Sequence, residues 1–393
     1  MQRWCAGLLL CLALATGAAQ EDEAGKANRL IHEGKKLDAL PLYEDLAKAH
    51  PEEWLYAERL ADCLGAKALQ TDDPAEAKAL RTRQRDEAKR AVALGDPNAF
   101  VQMMANADPD QPIEWKGAGA AGELLKQAEK AFTAGDFDGA MAKYVEAAAA
   151  DPKLYEAPLY AGDTALRQKD LNTAAKWFAQ ATAIDPDRET AYRYWGDAIV
   201  QLGSDPAVAK GKFIDAVVAE PYNKLAWQGL QQWAQSHQAM LVPPKIERPA
   251  GPVTDPNKPN NITINIDPSA GKEKNDPKTA VWLGYSMARA AYQMETFKKD
   301  FPDAKEYRHT LKEEDSSLTT TIAIAREMKI KPGKLDESLR TLIDLNDAGM
   351  LDCWILINAA DQGIAQDYDA YRKEHRQQLH DYIAKYIVHG GPM

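Results

Sequence analysis

Between residues 21 and 240 apolar residues recur at three-to-four spacing, the period of helices with one buried face. The breaks between these runs are periodic too. Gly162-Asp163 and Gly196-Asp197 stand 34 residues apart, as do Asp151-Pro152 and Asp185-Pro186. That interval holds two helices and two turns, with each proline stopping one helix where the next must start, so the pattern predicts a ladder of helix hairpins. Beyond residue 240 the pattern changes. Leu241 to Pro277 holds eight of the chain's 22 prolines, which predicts an extended, semi-rigid linker or strap. Within it Asn261 to Ile266 alternates polar and apolar residues with strand period, suited to lying on a surface or on a partner's strand edge. The same stretch contains an Asn-Ile-Thr glycosylation sequon. Helical periodicity returns over 278–300, 303–330, 335–347, 351–366 and 368–388, predicting a helical C-terminal domain.

Within the ladder, residues 189–223 carry Tyr192, Trp195, Gly196, Ile199, Ala209, Phe213 and Pro221, with one extra residue near Ser204-Asp205-Pro206. Residues 155–188 carry Pro158, Ala161, Gly162, Ala165, Ala174, Phe178 and Pro186, and residues 121–154 carry Leu124, Ala128, Ala131, Ala140, Tyr144 and Pro152. Ala27, Leu30, Ala39, Tyr43 and Pro51 read as a first repeat. Trp54, Ala57, Leu60, Ala61 and Leu64 open a second, whose second helix arrives about eleven residues late. This arrangement of small and bulky sites resembles the tetratricopeptide repeat family, over roughly half the chain. The resemblance implies an all-α fold, an α-solenoid of helix-turn-helix repeats in which small residues admit a neighbouring backbone and aromatics fill the gaps. Trp227, Leu230 and Ala234, among glutamines, suit a capping helix.

The expected organisation is a signal peptide over 1–20, repeats over 21–107, a Gly/Pro-containing hinge over 108–122, and repeats with a cap over 123–240. The proline-rich linker over 241–277 and the helical domain over 278–393 follow. The signal reading rests on Arg3, an apolar run of about a dozen residues from Trp4 to Ala15, and small residues before Glu21. It implies export to a periplasm or the exterior. The run is shorter than the roughly 20 residues of a spanning helix, and no later stretch in the sequence approaches that length. Net charge is −11, from 48 Lys and Arg against 59 Asp and Glu, which argues against a nucleic-acid partner. Past the signal only Cys63 and Cys353 remain, too few for a disulfide framework, and they read as small buried hydrophobes.

Candidate chemistry is sparse. Gly117-Ala-Gly119-Ala-Ala-Gly122 matches a dinucleotide fingerprint in letters, but no strand precedes it, and it reads as a flexible helix entry. HExxH and GxSxG are absent from the sequence, and His375 and His380 are spaced for different helix faces, so no catalytic residue, metal ligand or cofactor is assigned. The stripes Tyr368, Tyr371, His375, Leu379, Tyr382, Tyr386 and Trp282, Tyr285, Arg289, Tyr292 read as core or interface, with His375 expected to be hydrogen-bonded. Lys78, Arg81, Arg85 and Lys89 read as a solvated basic face.

The sharper feature is acidic. Glu129, Asp163 and Asp197 follow one another at 34-residue steps, each one residue after a small site. The family resemblance places that face in a concave groove, where the three would form a ladder with Leu125, Leu159, Leu166 and Val200 close by and Arg167 and Arg193 able to neutralise it. Such a ladder suits a peptide with basic or amide-rich character and departs from clamps for acidic tails, which in this family use Asn and basic residues. The sequence thus points to an exported, non-enzymatic scaffold for a protein or peptide partner. Its alternatives are an enzyme or small-ligand site in the C-terminal domain, favoured if buried acids converged with His309 or His375, and a structural envelope assembly factor.

Overall fold

Four of the helix hairpins turn through one residue with positive φ, and three of these are glycines: Gly34 (φ 76°), Gly135 (φ 81°) and Gly203 (φ 74°), while Lys169 (φ 61°) adopts the same conformation. The computed structural model describes residues 23–111, 117–203, 205–255, 258–264, 277–331 and 335–392. The expected signal segment, residues 112–116 of the expected hinge, and residues 265–276 lie outside these. The chain divides into two units, Met1–Leu230 and Gln231–Met393.

The N-terminal unit is an α-solenoid. Its helices are α1 (residues 23–32), α2 (Lys36–Ala49), α3 (Trp54–Gln70), α4 (Pro74–Ala93), α5 (Ala99–Asn106), α6 (Gly119–Thr133), α7 (Phe137–Ala150), α8 (Glu156–Arg167), α9 (Leu171–Ile184), α10 (Glu189–Gln201) and α11 (Pro206–Ala219). Except at α2, which follows Lys35 without a side-chain cap, the second helix of a hairpin starts on an aspartate whose carboxylate accepts a backbone N–H of the first turn. Asp73 takes Ala75 (2.9 Å), Asp136 takes Gly139 (2.9 Å), Asp170 takes Thr173 (3.0 Å) and Asp205 takes Ala207 (2.8 Å). Each such cap is worth about 1 kcal/mol. Between hairpins, Tyr43, Tyr144, Phe178 and Phe213 are at most 2% exposed. A Cβ on Gly162 would come within 2.5 Å of the Phe178 ring, and one on Gly196 within 2.8 Å of Phe213, so the small sites are steric requirements of the packing between the two helices of a hairpin.

The late helix of the second repeat has a simple cause: α3 and α4 are lengthened to 17 and 20 residues, with only a short turn between them. The eight-residue helix α5, which the repeat pattern does not predict, packs on α4. The helix α6 begins at Gly119, inside the expected hinge, and packs against α3, with Gln70 donating to the Lys130 carbonyl (2.8 Å).

The division between units falls inside α12 (Lys224–Ser236), earlier than the expected boundary at 240. The C-terminal unit holds β1 (Ala239–Leu241), β2 (Val253–Asp255), β3 (Lys258–Thr263), α13 (Pro277–Ala291), α14 (Phe297–Asp300), α15 (Leu311–Glu327), α16 (Glu337–Asp347), α17 (Leu351–Trp354), α18 (Tyr368–Tyr382) and β4 (Val388–Gly390). Here β1 pairs antiparallel with β4, setting Met240 opposite His389, and β2 pairs with β3, so residues 261–263 of the alternating stretch belong to a hairpin strand of the same chain, while 265 and 266 lie outside the described residues. Residues 242–251, within the expected linker or strap, are bound to the helices of this unit. The Trp354 indole donates to the Pro244 carbonyl (2.9 Å), and the Glu247 N–H donates to Ser338 (2.9 Å). Helix α15 starts at residue 311 rather than 303, leaving Tyr307, Arg308 and His309 in a loop before its Thr310 cap.

Candidate functional site

Helices α6, α8 and α10 neighbour one another in sequence-alternate order, and each carries one ladder carboxylate. Glu129, Asp163 and Asp197 are half-buried, neither core residues nor fully solvated. Their partners differ, and the second helix of each hairpin decides how. Where that helix supplies tyrosine, the phenol reaches the residue after the small site: Tyr43 donates to Asn28 (2.7 Å), and Tyr144 donates to Glu129. Where it supplies Phe178 or Phe213 there is no hydroxyl to donate, and no hydrogen bond to a carboxylate oxygen of Asp163 or Asp197 is seen among the described residues.

The electrostatics follow from this burial. Burial pushes the Glu129 carboxyl up to about 7, against the hydrogen bond from Tyr144, and the Asp163 charge adds to the rise. Burial likewise raises Asp197 to about 6 and raises Asp163, with Arg193 and Arg167 respectively opposing. Arg193 is held by Glu189 of its own helix (2.8 Å), and Arg167 is exposed. The formal charge of the ladder therefore overstates its charge near neutrality.

Four further residues take part in the site. Asp62 lies 34 residues after Asn28, directly after the small site Ala61, and extends the ladder; Lys36 pairs with it at 2.8 Å and also acts on Glu129 and Asp163. Tyr160 and Tyr194, again 34 apart, are half-buried between the acids: Tyr160 is within electrostatic reach of Glu129, and Tyr194 of Asp163 and Asp197. The 34-residue spacing of both pairs was present in the sequence. Conversely, Leu125, Leu159 and Leu166 are core residues rather than groove lining, and Val200 is exposed. The expected basic face is largely engaged: Lys78 pairs with Asp110, Arg85 with Asp86 (3.0 Å), and Arg81 donates to the Pro109 carbonyl (3.1 Å).

In the C-terminal unit a second cluster forms around Glu313 and Glu314 on the first turn of α15, both 0% exposed. Arg289 and Tyr307 bind Glu313 (3.0 and 2.8 Å), while Arg248 and Tyr285 bind Glu314 (2.7 and 2.8 Å). His309 bridges Asp361 (2.7 Å, Nδ1) and Glu314 (3.0 Å, Nε2), and satisfying both acceptors requires the imidazolium. His375 takes no hydrogen bond among the described residues; it stacks on Tyr371 (4.3 Å between ring centres) at a residue with non-helical φ/ψ inside α18. Cys63 and Cys353 are buried free thiols, each pushed up to about 12 by burial. Among the described residues no group of three His, Cys, Asp or Glu is placed to hold a metal ion, and no helix is long and apolar enough to cross a membrane.

Residues 131–194 match the profile described as Tetratricopeptide repeat. Among solved structures, the first TPR of Spaghetti (RPAP3) bound to HSP90 peptide SRMEEVD aligns at 25% identity over 30% of this chain and 91% of that one, with TM-score 0.27. YrrB, a TPR protein with an unusual peptide-binding site, aligns at 15% identity over 52% and 88% (TM-score 0.26). The P58(IPK) TPR domain aligns at 14% identity over 93% and 98% (TM-score 0.26). A comparison with curated proteins gives no match. Over residues 131–194 the chain is thus similar to the tetratricopeptide repeat family, and helix hairpins of the same architecture flank that stretch on both sides.

Proposed function

We propose that the N-terminal unit is a binding scaffold for an extended peptide segment of basic or amide-rich character, held along α6, α8 and α10. The observation that carries this reading is the alternation of half-buried carboxylates and phenols, Glu129, Tyr160, Asp163, Tyr194 and Asp197, along three stacked helices. Carboxylates accept from Lys, Arg and backbone N–H groups, and phenols offer flat surface with a polar tip. Asp163 and Asp197, with no phenol donating to them, are the groups free to bind, whereas Glu129 is occupied by Tyr144. The test is fluorescence anisotropy of an unstructured Lys/Arg-rich peptide against a Glu-rich peptide of equal length. The basic peptide should bind with salt-sensitive affinity that falls several-fold in Asp163→Asn/Asp197→Asn. Equal binding of both peptides, or no effect of the double substitution, would refute the groove.

The apolar run before residue 20 supports export, to a periplasm or the exterior, with cleavage near Ala19; the N-terminal sequence of the purified mature protein tests it. A second reading, catalysis or small-ligand binding in the C-terminal unit, is favoured by the convergence of Glu313, Glu314, Asp361 and His309. The bonds within that cluster speak against it. Each of these acids already accepts from an arginine, a tyrosine or the imidazolium, which fits a structural ion network.

A further inference from the structure

The N-terminal unit departs from its 34-residue step at the second repeat, and there a cavity of about 440 Å³ lies among α3, α4, α5 and α6. Lengthened α3 and α4 are followed by an α5 too short to cover them, so the packing of a regular repeat is incomplete at this point. The volume falls in the range of small-ligand pockets, roughly 300–1,000 Å³.

The lining is of two chemical kinds. Leu69, Met104, Phe100 and Phe132 supply apolar surface, and Phe100 is 48% exposed, as is expected of a side chain awaiting cover. The charged lining does not cancel. Lys36 is matched by Asp62 (2.8 Å) and Lys130 by Asp72 (2.7 Å). Glu129 is engaged by Tyr144 and half-neutral near pH 7. Arg81 and Lys126 remain: among the described residues neither forms an ion pair with a carboxylate, although Arg81 donates to the Pro109 carbonyl (3.1 Å) and the charges of Asp110 and Asp72 interact at longer range with Arg81 and Lys126 respectively. Two cations without a directly paired carboxylate, beside apolar surface, suit an anion with an apolar body.

We propose that this cavity binds a small amphipathic carboxylate, its chain or ring against Met104 and Phe132 and its carboxylate at Arg81 and Lys126. The cavity adjoins the proposed peptide site through Glu129, which belongs to both, but it does not include Asp163 or Asp197, whose substitution tests peptide binding alone.

Isothermal titration of the full mature chain with decanoate, against decanol of the same chain length, tests the proposal. Saturable binding of one decanoate, at least tenfold tighter than decanol, is expected. Lys126→Glu should weaken it about tenfold while Lys126→Arg retains it, with helicity checked by circular dichroism. No binding, equal binding of acid and alcohol, or indifference to Lys126→Glu would overturn it. A third arm uses an acetylated leucine-ended peptide with a free or amidated C-terminus. Preference for the free peptide end over decanoate would make the occupant a chain terminus and would also overturn the proposal. Should the Lys126 variants fail to fold, the acid-to-alcohol comparison on the unaltered protein still decides.

Discussion

In the C-terminal unit the Arg248 guanidinium lies 2.7 Å from the fully buried carboxylate of Glu314, drawing part of the proline-rich linker or strap onto the helix start at α15. Arg248 also donates to the Ala359 carbonyl (3.1 Å) and stacks near the Trp354 ring. Glu314 keeps other donors if Arg248 is lost, so the cost is less than that of orphaning a buried charge. Arg248→Ala should destabilise the C-terminal unit by about 1–3 kcal/mol, and Arg248→Lys by less. Chemical denaturation followed by the Trp354 environment measures this, and an unchanged midpoint would show that the strap is not fixed by this pair.

His309 gives the same cluster a pH dependence. Burial alone would lower its pKa, but hydrogen bonds and charge from Glu314, with Asp361, outweigh burial and the repulsion of Arg289, and the net shift is upward from 6.5. A raised folded pKa contributes stability that is full below 6.5 and is lost as pH rises through the folded value. Stability of the C-terminal unit should therefore decline on that upward titration, and His309→Gln should remove the decline. A His309→Gln protein with the same pH profile as the parent would contradict the imidazolium bridge.

Glu129 works in the opposite chemical sense with the same sign. Its carboxyl rises from 4.5 to about 7, so the folded state binds a proton that the unfolded state has released, and stability falls as pH rises between these values. Glu129→Gln keeps an acceptor for Tyr144 and removes the titration, so at pH 8 it should be more stable than the parent by about 1–3 kcal/mol, with little difference at pH 4. Glu129→Ala should be destabilising, because the buried Tyr144 hydroxyl loses its acceptor. Melting temperatures across the pH range separate the two variants.

Lys169 occupies the left-handed turn conformation that glycine holds at Gly34, Gly135 and Gly203. Lys169→Gly should raise stability by about 0.5–1 kcal/mol, since relief of the Cβ contact exceeds the added freedom of the unfolded chain. Urea denaturation with an unchanged slope checks it.

Gly162→Ala tests the helix packing within a hairpin. The new methyl meets the Phe178 ring, and a loss of about 1–3 kcal/mol is expected. In a double-mutant cycle with Phe178→Leu the two losses should be less than additive, because the smaller ring site accepts the methyl. Additive losses would show that Gly162 acts elsewhere.

What the sequence determined by itself was local and periodic. Apolar spacing placed the helices, prolines marked the breaks between them, and the 34-residue step aligned small sites with the aromatics that fill them. It also aligned Glu129, Asp163 and Asp197, because a repeated sequence step becomes a repeated position in a stacked array. Even the difference between Glu129 and its two successors was legible, in Tyr144 against Phe178 and Phe213. The tertiary structure alone decided which charges found partners across distant segments: Lys36 on Asp62, Arg248 on Glu314, His309 between Glu314 and Asp361. It alone decided that lengthening two helices would leave a cavity rather than a longer loop. Periodicity fixes which face of a helix is buried, whereas the meeting of two faces depends on helix lengths and stacking summed over the whole array, which no local window of sequence contains.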